Sequence, residues 1–391
     1  MTPTILVAGG GIGGLATALG LLRAGVRVRL FEQAPAITEV GAGLSLTPNA
    51  GKALGFLGLG DWLGTVATPL AHQLLFDATT GALILKHDRR PGANRWGAPY
   101  AVAHRADLVD ALVSAIHRLD PGCIRTGAPV TAVHAGGPSV AVEVGTAGTA
   151  CGDILVGADG ARSMVRDALH GRDAAEFAGH VAWRALLPGE AVAIRDLPPR
   201  QSRAWAGPGA TFVAYRLRHG ALVNLVGLSR SASWRAEGWQ QVAPLAEARS
   251  IFAAFPPPVV RMLDAIEGSS IASWGLLRRP HAPALARGRV ALVGDAGHPM
   301  LPFMGQGAAM ALEDAVVLAR AIAASPHDLN AALEAYGRTR APRTRAIMAA
   351  SAAGADRLQG ARPDTSRNED ALGLFAYDPA THPLAPMSGA G

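Results

Sequence analysis

The sequence predicts an α/β chain, in which a doubly wound parallel sheet is interrupted by a mostly antiparallel β-sheet domain and followed by C-terminal helices. Three observations carry this. Within the first 32 residues an apolar strand, a glycine turn, a helix and a second strand follow one another, the βαβ pattern of a doubly wound sheet. From about 176 to 275 the pattern becomes strand-like, alternating at 181–187, 211–218 and 221–228 and punctuated by Pro198-Pro199 and Pro256-Pro257-Pro258. At 289–293 the α/β character returns, followed by a glycine-rich loop and a long Ala-rich helix over about 308–324.

Taken in order, residues 4–8 (TILVA) are a short β-branched run ending in glycines, as a buried parallel strand should be. Residues 12–24 place Leu15, Leu19 and Leu22 at helical spacing, Gly25 closes that helix, and 26–32 (VRVRLFE) form the second strand. An amphipathic helix is expected at 106–118, a hairpin strand at 140–144, and an apolar strand at 154–158 running into Asp159-Gly160. After the Ala-rich helix come two more helical stretches, the second opening near Pro342, a residue suited to a first turn. The tail from about 377, with repeated Pro and Gly, reads as a loose end. The expected division is 1–175 and 276–350 as two parts of one domain, 176–275 as an inserted domain, and 351–391 as a C-terminal helix and tail.

The charge balance is +6, and lysine occurs only at 52 and 86, so arginine supplies 34 of the 36 basic residues. They are dispersed. The one dense cluster, Arg338, Arg340, Arg343 and Arg345, reads as a solvated helix face rather than a nucleic-acid patch. Two cysteines, Cys123 and Cys151, make neither a disulfide framework nor a metal knuckle, so no metal site is expected. The first apolar stretch holds six glycines between Gly9 and Gly20 and lacks a basic flank. It suits neither a signal peptide nor a membrane span, and the expectation is a cytoplasmic protein without membrane or nucleic-acid partners.

Gly9, Gly11 and Gly14 spell G-x-G-x-x-G between strand and helix, with Gly13 inside the same loop. The first glycine makes the turn, the second admits a pyrophosphate against backbone, and the third lets helix pack on strand. Glu32 ends the second strand 18 residues after Gly14, where a carboxylate accepts hydrogen bonds from ribose hydroxyls. Strand, helix, second strand and terminal acid together point to a dinucleotide. Whether it is NAD or FAD is decided downstream.

Three further motifs bear on that choice: Gly157-Ala158-Asp159-Gly160 with Arg162, Ser163 and Arg166; Gly294-Asp295-Ala296-Gly297-His298-Pro299; and Pro302 with Gly305-Gln306-Gly307. With Gly9–Gly14 they resemble the single-component FAD-dependent aromatic hydroxylases, in the branch of salicylate hydroxylase, 3-hydroxybenzoate 6-hydroxylase and 6-hydroxynicotinate 3-monooxygenase. Supporting matches are Gly41-Ala42-Gly43 through Pro48-Asn49-Ala50, His104 through Leu108, Trp183-Arg184 and Gly207-Pro208-Gly209. The resemblance implies a glutathione-reductase-like Rossmann FAD-binding domain interrupted by a substrate domain. It also implies non-covalent FAD, reduction by NADH or NADPH, and ring hydroxylation through a flavin C4a-hydroperoxide, in a monomer or homodimer.

In that resemblance Asp295 accepts a ribityl hydroxyl, and Gly305, Gln306 and Gly307 turn a helix N-terminus toward the flavin pyrimidine edge, where its dipole stabilises reduced flavin. Asp159 lies near the pyrophosphate, Arg105 reaches the phosphate and ribityl region, and Gln33 and Val130 make backbone contacts near the adenosine. Pro302 and His298 fall beside the flavin, His298 being equally readable as a structural loop residue.

For the substrate, alternation sends Thr211, Val213, Tyr215 and Leu217 one way and Phe212, Ala214, Arg216 and Arg218 the other, the arginines marking the wetter side. Tyr215 is a core residue or a pocket phenol, and it matches the family's pocket tyrosine. Arg184 and Arg203 are candidates for binding a substrate carboxylate, or ion pairs between domains. Members of the family it resembles often carry a histidine at the position of Thr211, and some carry others near Thr47 and Phe303; this chain has none there. Either the substrate arrives ionised, or Tyr215 and solvent handle its proton, or it is not a hydroxybenzoate. A flavin halogenase is disfavoured because the seven tryptophans never fall two apart. A plain NAD(P) dehydrogenase leaves 294–307 unexplained, a non-hydroxylating flavoprotein remains an alternative, and a basic nucleotide- or RNA-binding protein predicts no yellow colour.

Overall fold

The computed structural model describes residues 2–38, 42–234, 241–279, 282–364, 366 and 369–386. Gly41 of the Gly41-Ala42-Gly43 run and the end of the tail from 387 lie outside them.

The apolar run Thr4–Ala8 pairs in parallel with Arg27–Phe31 on one side and Ile154–Gly157 on the other. Val290–Leu292 and Ile124–Arg125 extend this sheet to either side, and Ala286–Arg287 adds an antiparallel edge, giving six strands. Helix Ile12–Arg23 and the buried helix Gly307–Ala324 pack on it to form the largest core, in which Leu15, Leu19, Leu312 and Val316 exclude water. Helix Arg105–Leu119 contributes Leu108, Leu112 and Ile116 to the same core.

A second sheet has eight strands in the order Gln241–Pro244, Ser270–Arg278, Glu176–Pro188, Leu222–Arg230, Ala210–Leu217, Gln201–Gly207, His72–Asp77, Leu83–Asp88. All its pairings are antiparallel except that between Gln201–Gly207 and His72–Asp77. The last two strands come from far upstream. They form a hairpin whose turn is held by Asp77, its Oδ1 accepting from the Thr79 and Thr80 amides at 2.8 and 2.7 Å. One face of this sheet is sealed by helices Leu245–Ile251 and Pro257–Asp264 around Trp183, Trp205, Phe212 and Phe252. The other face looks toward the parallel-sheet domain.

Three expectations fail here. Residues 329–359 form one continuous helix with Pro342 inside it, not two stretches. Proline ordinarily breaks a helix by removing one hydrogen bond. Here Arg340 and Arg343, on either side, are anchored to Glu313 and Asp314 of the neighbouring helix, so tertiary contacts hold the helix through it. The same contacts overturn the solvated-face reading for Arg340, which is fully buried, and for Arg343, while Arg338 and Arg345 are exposed as expected. The tail to 386 is also packed rather than loose. Lys52 Nζ donates to the Phe375 and Ala376 carbonyls, both at 2.9 Å, and Arg320 donates to those of Pro379 and His382, both at 2.8 Å.

Candidate active site

Gly9 carries a φ of +108°, and a Cβ there would strike the Ala158 carbonyl, while one at Gly14 would strike that of Gly9. Only glycine permits this approach of turn, strand and helix. Gly11 is different: nothing lies within 4 Å of where its Cβ would stand. It borders an open cleft at the start of helix Ile12–Arg23, which has no side-chain cap. Uncapped amides at the positive end of a helix suit a pyrophosphate.

Glu32 accepts from the amides of Gly10 and Ala34 at 2.6 and 2.8 Å, so its first task is bracing the glycine loop. Each oxygen keeps a lone pair for a ribose hydroxyl. Gln33 is exposed beside it, and half-buried Val130 starts a neighbouring strand tied in by the Ala128 amide donating to the Glu32 carbonyl at 2.9 Å. Asp159 is occupied locally, accepting from Ser163 Oγ at 2.5 Å and the Val165 amide at 3.0 Å, and it shapes the turn into helix Met164–His170.

Asp295 lies in the turn after Val290–Leu292 and opens onto the same cleft. Crowding by protein raises its pKa, opposed by His298 and Arg105, and no described residue donates to its carboxylate. Arg105 starts helix Arg105–Leu119 and acts electrostatically on both Asp295 and Arg184, which gathers the three around one cleft.

The opposite wall is the segment Pro302–Met304, then Gly305 at φ +63°, then helix Gly307–Ala324 capped at Gln306. Buried Gln306 donates to Thr47 Oγ1 at 3.3 Å and accepts from Asn49 Nδ2 at 3.2 Å, so its side chain fixes the loop and leaves the helix amides for the cleft. Behind it, Arg340 bridges Glu313 and Asp314 at 2.6 and 2.7 Å, Arg343 holds Glu313, and Asn49 donates to Glu313 at 2.6 Å. Burial raises both acids, but the arginines, and for Asp314 also His298, reverse this and leave both carboxyls below their ordinary values. Asp314 Oδ2 takes the Gly294 amide at 2.9 Å and His298 Nε2 at 2.5 Å. His298 is thus a buried strut behind the Asp295 turn, and it does not line the cavity described next.

That cavity, of about 170 Å³, lies between the inner face of the large sheet and the Pro302–Gly305 loop. Thr211, Val213 and Tyr215 line it, as do Pro302 and Gly305, so the alternation along Ala210–Leu217 aims its residues as expected. Burial raises the Tyr215 phenol, with Arg184 opposing, and it stays a protonated donor. Gly43 presses on the Tyr215 ring, and its amide donates to Asn224 at 2.8 Å. The reverse face is not the wetter one. Phe212 and Ala214 sit in the sealed core, and Arg216 is buried, donating to the carbonyls of Leu197, Gly189 and Val192 at 2.6–2.8 Å. Arg203 is also on that reverse face, paired across strands with Ala214 and donating to the Asp196 carbonyl at 2.9 Å, which removes it as a carboxylate partner in the cavity. Arg184 stacks 5.1 Å from the Trp274 ring, near Tyr215 but outside the cavity lining.

Residues that sequence reasoning missed also line the cavity: Gln73, Leu75, Leu85, His87, Ser202 and Arg357 among them. The first four ride on the 72–88 hairpin. Its signal was present, two short apolar runs at 74–76 and 83–85 on either side of Asp77-Ala78-Thr79-Thr80-Gly81.

A nucleotide cleft on a parallel sheet, facing a small cavity floored by a second sheet, defines a two-domain flavoprotein. Uncapped helix amides, an open position at Gly11 and an aspartate with no protein donor together fit FAD. A family described as FAD binding domain matches residues 2–207 and 244–351. The chain is 37% identical to 3-hydroxybenzoate 6-hydroxylase 1 of Aquipseudomonas alcaligenes, covering 97% of this chain and 95% of the relative. It is 32% identical to 6-hydroxynicotinate 3-monooxygenase of Pseudomonas fluorescens, covering 98% and 97%. A solved salicylate hydroxylase substrate complex superposes with a TM-score of 0.79 at 26% identity, covering 95% of this chain and 92% of that one. HpxO of Klebsiella pneumoniae, solved with FAD and uric acid, gives 0.82 at 27%, covering 96% and 92%. The chain belongs to the single-component FAD-dependent aromatic hydroxylases. It is a flavoprotein monooxygenase that binds FAD and draws on NAD(P)H and oxygen.

Proposed function

We propose that this enzyme hydroxylates a one-ring aromatic or N-heteroaromatic molecule bearing a ring hydroxyl. The carrying observation is the cavity between Tyr215, Thr211 and Val213 on one side and Pro302–Gly305 on the other. At about 170 Å³ it suits a single ring, since an apolar cavity near 150 Å³ takes a benzene. Relatives named for 3-hydroxybenzoate and 6-hydroxynicotinate support that size and chemistry.

When bound, FAD supplies the redox chemistry that couples NAD(P)H oxidation to oxygen insertion. Gly9, Gly11, Gly13 and Gly14 cradle the pyrophosphate, with Glu32, Gln33 and Val130 at the adenosine and Asp159 shaping the wall. Arg105 and Asp295 hold the ribityl region, and Gly305, Gln306 and Gly307 present amides to the ring system. Tyr215 donates to a substrate oxygen and steadies the charge that builds there, with Arg184 adding positive charge behind it. Thr211 offers a second hydroxyl. Val213, Leu75, Ala204 and Pro302 keep water from the reacting atoms. His298 positions the Asp295 turn through Asp314. The dispersed charge supports a reading without nucleic-acid partners, and a cytoplasmic monomer or homodimer completes the proposal.

The test is a screen of aromatic and N-heteroaromatic acids and phenols for stimulated NADH or NADPH oxidation, with products identified by mass. A product heavier by one oxygen is expected. Flavin reduction with no ligand ever oxygenated would favour a non-hydroxylating oxidoreductase.

A further inference from the structure

We propose that Asn224 is a positioning residue for the hydroxylation: it ties the flavin-domain strand Gly43–Leu46 to Tyr215 and, through its carboxamide N–H, turns the Tyr215 hydroxyl proton toward the substrate. The inference rests on the hydroxylase reading above and adds the group that gives the substrate donor its direction.

Strand register places the pair. Tyr215 stands directly opposite Asn224 across the ladder between Ala210–Leu217 and Leu222–Arg230, so the two side chains share the inner face of the large sheet. Asn224 is 1% exposed. Its other neighbours in that register are apolar, Leu186 across the second ladder and Leu222 and Val226 along its own strand. A buried amide in such a setting is destabilising unless both of its ends are satisfied.

Only one end is. Oδ1 accepts from the Gly43 amide at 2.8 Å, whereas Nδ2 is buried and no described residue accepts from it. A Cβ added at Gly43 would stand 2.7 Å from Asn224 Cγ and 2.7 Å from Tyr215 Oη, so those two atoms are no more than twice that distance apart. Nδ2 is bonded to that Cγ, and in the ligand-bound protein small side-chain rotations close the gap that remains.

The chemistry of the donor then decides the direction. An asparagine N–H donates and cannot accept, while a phenol has one proton and lone pairs beside it. With Nδ2 on a lone pair of Tyr215 Oη, the phenol finds no acceptor on that side, and its proton points into the cavity that Tyr215 lines. The Oδ1 tether also reaches the redox side. Beyond Gly43 the strand carries Ser45, packed against Gly305, and runs into Thr47, whose hydroxyl accepts from Gln306 at 3.3 Å. Asn224 therefore holds the substrate donor and the flavin-facing turn in one frame.

The experiment is a double-mutant cycle on FAD-loaded enzyme with Asn224→Asp, Tyr215→Phe and their combination. Aspartate keeps an oxygen for the Gly43 amide but, once ionised, has no proton to give. The ligands are 3-hydroxybenzoate against benzoate, 6-hydroxynicotinate against nicotinate, and the best hit of the screen above against its analogue lacking the ring hydroxyl. Dissociation constants come from the flavin absorbance change, and coupling is product formed per NAD(P)H consumed. In the best pair Asn224→Asp should reduce the preference for the hydroxylated ligand several-fold and lower kcat and coupling about tenfold, with FAD content and Tm verifying the fold. The deficit should shrink as pH falls and the carboxyl gains a proton to donate. In the Tyr215→Phe background the same substitution should change each quantity less than about twofold. Asn224→Leu, close in volume, carries the cycle if aspartate prevents folding. The role is overturned if Asn224→Asp couples as wild type, or if its loss is undiminished in the Tyr215→Phe background, which would leave Asn224 a structural tether alone. A Tyr215→Phe enzyme that couples normally overturns it equally. If no aromatic compound stimulates NAD(P)H oxidation, the hydroxylase reading itself falls and takes this role with it.

Discussion

Tyr215 and Asp295 face the two halves of the cleft, and each gives a sharp expectation. Tyr215→Phe keeps the ring that Gly43 packs against, so folding and FAD content should hold. The lost donor costs about 3 kcal/mol at the transition state, roughly a hundredfold in rate. Product formed per NAD(P)H consumed should fall and peroxide released should rise. Unchanged coupling would assign Tyr215 to the core. Asp295→Ala removes a charge-assisted acceptor worth about 1.5–3 kcal/mol, so FAD affinity should fall about tenfold or more in equilibrium titration. That Tyr215 faces the cavity was legible because period-2 alternation is a local signal, whereas Asp295 was singled out by the resemblance of its Gly294–Pro299 motif. Arg216 was not legible, since its three carbonyl acceptors lie 19 to 27 residues upstream and nothing near it in sequence announces them. An arginine read alone looks like a solvent marker; satisfied by three carbonyls, it is a buried clamp.

At the scale of elements, the helices Gly307–Ala324 and Leu329–Gln359 are joined by fully buried charges. Arg340→Ala leaves Glu313 and Asp314 buried with less compensation, and should cost about 3–5 kcal/mol, read from the urea midpoint at constant slope. Both carboxyls are held below their ordinary values, so their contribution is complete above the unfolded-state pKa values near 4 and is lost as pH falls toward the lower folded ones. Wild-type Tm should therefore drop steeply below about pH 4, and Glu313→Gln should flatten that limb while lowering Tm at pH 7. The helices themselves were readable from composition and spacing. The continuity of the second through Pro342 was not, because it depends on acids some 30 residues away on the first.

Across the whole molecule, the cleft is assembled from the N-terminal glycine turn, Arg105, and the turn at Asp295. A ligand that bridges such distant segments in the folded state alone stabilises the fold by mass action, about 2.7 kcal/mol at a hundred times its Kd. Adding FAD to stripped protein should raise Tm in a concentration-dependent way, and the shift should shrink in Asp295→Ala. The βαβ unit and the α/β return were visible because each is a contiguous pattern. The joining of 72–88 to a sheet otherwise built from 176–278 was hidden, because strand pairing across more than a hundred residues leaves no mark on either segment.

That hairpin has an evolutionary consequence. Among the described residues it hangs on the large sheet through a single ladder to Gln201–Gly207, and its outer strand borders no other strand. Residues at the rim of a sheet can be exchanged without disturbing ladders further in, so descendants of one ancestor can trade one aromatic ring for another by rewriting a short peripheral segment. The redox half is locked by Gly9 and Gly14, which admit no Cβ, and by buried ion pairs. Diversification of such enzymes should concentrate at this margin, and transplanting residues 72–88 between relatives is the most economical way to retrace it.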